Sequence, residues 1–232
     1  MTEKLLEKNA RDEISKERLK AHIEYFCSLG EKLAGSDEEI KACNYIVSQL
    51  SEAGINARVF EFEAYVSHPG PAAVTTYFPE KKSIEAVGIS FSVSTPATGI
   101  NAEILYVGKG VEKNYNGLDA KGKIVLVDTK PRPENVTIAY KHGAAALIGM
   151  SEGRSRHKLI ATPVWGIPSL EDKNKIPRIP IASISGEDGA ELIRLARSGR
   201  LMGTVTTEVW EGWKILHLPV ASQHNVKIQM RG

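Results

Sequence analysis

The stretch Lys121-Gly122-Lys123-Ile124-Val125-Leu126-Val127-Asp128 sets four consecutive apolar residues between a glycine-containing turn and an aspartate. A short apolar run bounded by turn residues is typical of a strand that is buried on both faces. A similar run, 102–107, precedes it, and a third, 144–150, follows. Helical patterns cover 136–143 and 185–198. We therefore expect an α/β fold with its buried strands in the middle of the chain.

Two helices and a strand are predicted ahead of this region. Apolar residues recur at helical spacing over 19–26. Ser36 and Glu39 form a capping box that begins a second helix, which ends before Gly54. The stretch 59–65 then alternates apolar and polar residues, which predicts a half-buried strand. Helix, helix, strand is thus the expected opening unit.

The remaining stretches are less regular. Prolines interrupt β-rich sequence between 67 and 100, including 84–93, so we expect irregular strands there. These prolines are Pro69, Pro71, Pro79 and Pro96. The stretch 151–178 has no clear period and is predicted to be a long surface loop. Alternating residues predict strands at 204–210 and 226–230.

Composition excludes some classes of function. Thirty Lys and Arg residues against 28 Asp and Glu residues give a net charge of +2, which provides no electrostatic reason to expect a nucleic-acid partner. The sequence contains no apolar run of the ~18 residues that a membrane span requires, so we expect no membrane insertion and a cytoplasmic location. Cys27 and Cys43 both lie in predicted helices, and we expect them to be reduced and structural.

Several short phrases, in order, resemble the co-catalytic, two-zinc aminopeptidase family. The opening phrases are Lys32 to Ser36, Ala53-Gly54 and Val59 to Phe62. Further phrases resemble the protease-associated domain that is commonly inserted in those enzymes; they are 106–108, 117–119, 121–128, 139–148 and 179–184. The stretch 224–232 resembles the strand at which the catalytic domain resumes. Each phrase alone is weak, and their shared order and spacing carry the resemblance.

This resemblance implies a specific domain organisation. Residues 1–66, with a returning strand at 220–232, are expected to form a fragment of the α/β peptidase domain. Residues 67–219 are expected to form the protease-associated domain, a mixed β-sheet or barrel with flanking helices. The incomplete fragment should leave an apolar surface near the first helices, which predicts self-association or contact with a catalytic domain of the same polypeptide.

The zinc ligands of such an enzyme are not expected in this chain. The family's site begins with a His-x-Asp phrase, and none of the six histidines begins one. In the phrase His22-Ile23-Glu24, residues two apart on a helix point in different directions and cannot share a metal. Glu38-Glu39 imitates the family's acidic pair, but the first turn of a helix favours carboxylates for capping. We therefore expect no catalytic or metal-binding residues here, with zinc held by a catalytic domain outside this chain.

The basic segment that contains Arg154, Arg156, His157 and Trp165 is the candidate functional loop. It could touch a peptide carboxylate and gate substrate access, or it could be a solvated connection. The first hypothesis is thus a module that gates peptide access to a zinc aminopeptidase and is inactive alone. The second is a free-standing protease-associated module that binds peptides or a protein without catalysis. A small unrelated hydrolase is a third, residual alternative, for which no nucleophile and base pair emerges.

Overall fold

The computed structural model of the protein describes residues 14–162, 168–169 and 171–221. The helices are α1 Lys16–Ser28, α2 Asp37–Glu52, α3 Pro133–Lys141 and α4 Gly186–Ser198. The strands are β1 Ala57–Phe78, β2 Lys82–Gly88, β3 Ile100–Tyr106, β4 Ile124–Leu126, β5 Ala146–Met150, β6 Ile181–Ile184 and β7 Met202–Ala221. Two compact units result. Unit 1 runs up to Ala64 and resumes at Lys214, and unit 2 comprises Tyr65–Trp213.

The strands close into a barrel in the order β1-β2-β6-β5-β4-β3-β7. Strands β3, β4, β5 and β6 run parallel to one another, whereas β1–β2, β2–β6 and β3–β7 are antiparallel pairs. In the centre, Ile124 of β4 lies opposite Ile104 of β3 and Ala146 of β5. The stretch 121–128 therefore supplies a central strand, and the predicted mixed barrel with flanking helices is confirmed.

Alternate residues of β4 belong to two different hydrophobic clusters. Ile124 and Leu126 pack in a cluster with Leu192 of α4, and Val125 packs in a second cluster with Val136 of α3. Neighbouring parallel strands are joined by crossover connections, which are usually helices. These helices pack on the faces of the sheet, so the strands are buried on both sides. The continuous apolar run of β4 is explained by this double burial.

In unit 1, α1 and α2 meet through an aromatic cluster around Tyr45. The Tyr45 ring stacks on Tyr25 with centroids 3.8 Å apart, and its hydroxyl lies 2.7 Å from His22 Nδ1. The amide of Glu39 donates to Ser36 Oγ over 3.2 Å, and the Glu39 carboxylate accepts from the amide of Gly35 over 2.9 Å. The predicted capping role of Glu39 is therefore confirmed, with its carboxylate one residue further back than in the standard capping box.

Few side chains of unit 1 are buried. Helix α1 has no buried residue, and its predicted apolar stripe is exposed, with Leu19 at 53% and Ile23 at 63% of full exposure. In α2 only Ala42 and Cys43 are buried. The hydrophobic clusters among the described residues all lie in unit 2. The described part of unit 1 thus has regular secondary structure without a core of its own.

Two predictions about the strands are wrong in part. Pro69 and Pro71 do not interrupt β1, which runs from Ala57 to Phe78, and Pro71 is the first of its residues to pair with β2. The strand predicted at 84–93 ends at Gly88. The strand predicted at 226–230 lies outside the described residues, as does the returning segment 220–232 beyond the end of β7 at Ala221.

Two further observations concern membrane-spanning helices and the cysteines. No helix in the described ranges is both long and apolar enough to cross a membrane. Cys27 is an exposed free thiol, and Cys43 is a buried one. Burial, with a smaller contribution from Glu39, raises the pKa of the Cys43 thiol. A thiol with a raised pKa is a poor nucleophile, which agrees with a structural role for this cysteine.

Candidate functional site

A groove of about 810 Å³ opens in unit 2 at the carboxyl ends of β3 to β6. Each strand contributes residues that follow it: Lys109 after β3, 128–130 and Arg132 after β4, 151–153 after β5 and Gly186 after β6. Parallel strands bring their carboxyl ends to one edge of a sheet, which is where open α/β sheets commonly bind ligands. The groove also has the volume usual for small-molecule sites.

One wall of the groove is held by backbone hydrogen bonds. The amide of Gly186 donates to the carbonyl of Gly153 over 2.7 Å, and the amide of Ser151 donates to the carbonyl of Ile184 over 3.0 Å. A β-carbon on Gly186 would lie only 2.6 Å from the Ser151 carbonyl oxygen. The absence of a side chain at this position therefore allows the start of α4 to approach the segment after β5 closely.

Asp128, directly after the central strand, is the most buried carboxylate of the groove. Its Oδ2 accepts a hydrogen bond of 2.6 Å from the hydroxyl of Tyr106, and its Oδ1 is buried with no hydrogen-bond partner in the part of the chain that the structure describes. Burial, and then this hydrogen bond, raise the pKa of Tyr106, so the phenol remains a donor at neutral pH. Because this oxygen is closed to solvent, a ligand N–H could reach it only if the neighbouring side chains moved.

The structure places three of the four predicted gating residues. Arg154 donates to Glu187 over 2.9 Å, and this hydrogen bond raises the pKa of Arg154. Arg156 lies 2.6 Å from the carboxylate of Glu85 on β2. The amide of His157 donates to Ser151 Oγ over 3.2 Å. These contacts tie the segment after β5 to β2 and to α4, and two of the partners, Glu187 and Ser151, line the groove.

Trp165, the fourth predicted gating residue, lies outside the described residues. A role for the four residues together in gating therefore stays a prediction. The two arginines pair with carboxylates of different elements, Glu187 of α4 and Glu85 of β2.

Among the described residues, His217 and the two carboxylates near it do not fit a zinc site. His217, in unit 1, has its Nδ1 atom 3.6 Å from Glu39 and its Nε2 atom 3.5 Å from Glu61. The two ring nitrogens point to different sides, so one metal could not be bound by the imidazole and both carboxylates. Across the described residues, no group of three or more His, Cys, Asp or Glu is arranged to hold a metal. His22 contacts Tyr45 instead of an acidic partner.

Sequence reasoning missed the groove, although a signal for it was present. Asp128 and Ser151 each follow an apolar run directly, and Ser185-Gly186 opens a predicted helix. Polar residues just after buried parallel strands mark the ligand edge of an α/β sheet. That signal becomes usable only when the strands are known to be parallel neighbours, which the sequence alone did not establish.

Comparison with known proteins identifies the class of unit 2. A family model described as the PA domain matches residues 96–192, which lie within unit 2. The chain therefore contains a protease-associated domain, as its sequence phrases predicted.

The same comparisons find peptidases among the relatives. Carboxypeptidase Q of Xenopus laevis is 29% identical over 192 residues, which are 80% of this chain and 40% of that protein. An aminopeptidase from Aneurinibacillus sp. strain AM-1 superposes with a TM-score of 0.63 at 23% identity, over 92% of this chain and 49% of that one. BSAP, a zinc aminopeptidase from Bacillus subtilis, gives 0.63 at 20% identity, over 87% and 45%. This chain spans about 40% of the length of its curated relatives, and the structural likenesses establish a shared fold.

Proposed function

We propose that this chain is the protease-associated portion of a zinc exopeptidase, and that unit 2 shapes or gates peptide access to a catalytic domain outside these residues. The matched PA domain and the peptidase relatives support the class. The names of the relatives include both carboxypeptidase and aminopeptidase, so exopeptidase is the shared description. Aminopeptidase is the form that the sequence phrases favour, and a cytoplasmic location rests on the sequence alone.

The observation that carries this proposal is the exposed apolar surface of unit 1. Six large apolar side chains there are about half or more exposed: Ile14, Leu19, Ile23, Phe60, Ile215 and Leu218. A soluble domain seldom leaves this much apolar surface without a partner. Because the curated relatives are more than twice as long as the matched segment, we assign the cover to further sequence of the same polypeptide. Self-association is the competing outcome.

The gating part of the proposal rests on Arg156. Its 2.6 Å ion pair with Glu85 joins the segment after β5 to β2, and its side chain is one-third exposed. A partly exposed pair contributes little to stability, about 0–1 kcal/mol, so its loss should leave the fold intact. The same loss would free one end of the basic segment. Any role in access should then appear in the kinetics rather than in folding.

The test compares peptides of different length on the full product of the gene, purified with zinc. Arg156→Gln is expected to change kcat/KM for peptides of several residues while leaving the value for a single aminoacyl p-nitroanilide unchanged. Arg200→Gln, at an exposed arginine after α4, is the control and should change neither. Equal effects of Arg156→Gln on short and long substrates would contradict gating.

A second candidate function is a peptide-binding module without catalysis. The observation that favours it is the groove, which is built from unit 2 alone. Saturable peptide binding by a full gene product that has no zinc and no turnover would support this alternative over the peptidase.

A further inference from the structure

The segment after β5 contains the longest run of exposed residues in the part of the chain that the structure describes. Residues 152–158 are all exposed, and none of them lies in a helix or strand. The run carries three basic residues, Arg154, Arg156 and Lys158. A protease binds several residues of its substrate in an extended conformation, so folded proteins are cut most easily at exposed chain without regular structure. Each of the three is therefore a candidate for cleavage by a protease that recognises arginine and lysine.

Arg154 is the most accessible of the three. Its side chain is 88% exposed, although it pairs with Glu187 over 2.9 Å. An ion pair this exposed restrains a side chain weakly, because water screens and replaces it. The backbone amides and carbonyls of Arg154 and Ser155 form no hydrogen bond with any described residue. The nearest backbone bond is the one that the Gly153 carbonyl accepts from Gly186, so none has to break at the Arg154–Ser155 peptide bond itself.

Arg156 is held more firmly. Its side chain is one-third exposed and lies 2.6 Å from the carboxylate of Glu85. The amide of the next residue, His157, donates to Ser151 Oγ over 3.2 Å. A protease that cut after Arg156 would have to displace both contacts, since it must bind the side chain before the cut and the backbone on both sides of it.

Lys158 precedes a stretch that is paired with Ser90. The Ser90 amide donates to the Leu159 carbonyl over 3.0 Å, and the Ser90 carbonyl accepts from the Ala161 amide over 2.9 Å. Cleavage after Lys158 would require the bond to Leu159 to open. Of the three candidates, Arg154 is thus the one that a protease reaches first.

A cut after Arg154 divides the chain between β5 and β6, but the strands of the two parts remain paired. The first part contains β1 to β5, and the second contains β6, α4 and β7. Strand β6 lies between β5 and β2, and β7 pairs with β3. The second part therefore completes the barrel of the first at two separate places.

Both parts also contribute to one hydrophobic cluster. Ile124 and Ile148 of the first part pack in it with Ile184 and Leu192 of the second, and all four side chains are fully buried. The burial of apolar surface stabilises this cluster whether or not the chain is continuous at a distant surface position. We therefore expect the two parts to stay together after the cut.

We propose that the Arg154–Ser155 peptide bond is a processing site for a protease that recognises basic residues. Hydrolysis breaks the C–N bond. The oxygen of a water molecule joins the Arg154 carbonyl carbon to form a carboxylate, and the two protons of the water go to the Ser155 nitrogen, which becomes an ammonium. The product is a form in two fragments that keeps the barrel.

The cut removes a covalent connection between two elements of unit 2. Arg154 pairs with Glu187 of α4, and Arg156 pairs with Glu85 of β2, so the intact segment links the two. Any consequence for peptide access rests on the proposed function. The cut and the persistence of the barrel do not, because every contact involved belongs to unit 2.

Limited digestion with trypsin tests the position of the cut. The pure chain is digested at neutral pH, and the fragments are identified by intact mass in denaturing solvent. The first cut within 14–221 is expected after Arg154, and Arg154→Gln should remove it. Glu187→Gln removes only the partner and should leave the cut in place, as should Arg194→Gln, which removes another exposed arginine–glutamate pair of α4. A first cut at any other residue of 14–221 would overturn the proposal.

Two further measurements test whether the folded chain is cut and whether it stays folded. Ile184→Val destabilises the buried cluster, so a rate of cutting that rises in proportion to the unfolding equilibrium constant would show that unfolding comes first and would overturn the proposal. We expect an unchanged rate. In size-exclusion chromatography the two fragments should elute together in buffer and separate in urea, and fragments that separate in buffer would overturn the two-fragment form. None of these measurements involves zinc or turnover, so their failure is distinct from failure of the proposed function.

Discussion

Replacing Gly186 by alanine tests how tightly the start of α4 is held against the segment after β5. Alanine at an unobstructed helical position stabilises by up to about 1 kcal/mol relative to glycine. Here the new β-carbon would lie 2.6 Å from the Ser151 carbonyl oxygen and 2.9 Å from the Gly153 nitrogen. Both are backbone atoms, so no side-chain rotation can relieve the contact.

The size of the effect follows from the shift that is needed. Ordinary contact begins at 3.4 Å, so the backbone must move by about 0.8 Å. The bond from the Gly186 amide to the Gly153 carbonyl, at 2.7 Å, opposes that movement. Overpacking of this kind costs about 1–3 kcal/mol, which exceeds the propensity gain. Gly186→Ala should therefore be about 1–2 kcal/mol less stable than the wild type.

Urea unfolding at neutral pH measures this difference. Ala190→Gly, on the same helix, is the reference variant. It should be less stable than the wild type by about 0.5–1 kcal/mol, because it lowers helix propensity and adds no atom that could clash with the backbone. A Gly186→Ala protein as stable as the wild type, or more stable, would show that the segment after β5 gives way freely. The description of this groove wall as fixed would then be wrong.

Two further predictions concern a buried phenol and an exposed stripe. Burial, with Glu112 adding a smaller effect, raises the pKa of Tyr115 to about 12, whereas unfolded tyrosine ionises near pH ~10. The free energy of unfolding of the wild type should therefore fall progressively as the pH rises between those values. In urea unfolding, the stability of Tyr115→Phe relative to the wild type should increase by about 1 kcal/mol between pH ~8 and pH ~11. A difference that does not change with pH would contradict this. Leu19→Lys with Ile23→Lys should change stability by less than about 0.5 kcal/mol, since both side chains are exposed, and should reduce association in sedimentation if that stripe is an interface. If the wild type self-associates and the double variant sediments in the same way, the interface lies elsewhere.

The sequence was most informative where local physical chemistry decides structure. Strand β4 follows from an apolar run that needs burial on both faces, and α2 follows from a cap and an apolar stripe. Helix α4 begins at Gly186, with Ser185 as its cap, as the pattern 185–198 predicted. In each case the signal lies within one element.

Features that depend on distant contacts were not predicted. Strand β1 continues through Pro69 because the pairing partner decides which amides are needed, and the local sequence does not name the partner. The exposure of Leu19 depends on what packs against α1, although a helical stripe ordinarily predicts burial. The parallel order β6-β5-β4-β3, which brings the residues of the groove to one edge of the sheet, is likewise a property of topology.

The central claim is that this chain serves a zinc exopeptidase without containing its metal site. The most direct measurement is zinc content together with chelator-sensitive peptidase turnover, for residues 1–232 alone and for the full product of the gene. The account predicts zinc and turnover in the full product and neither in residues 1–232. Chelator-sensitive turnover by residues 1–232 alone, or the absence of zinc and turnover from both samples, would contradict it.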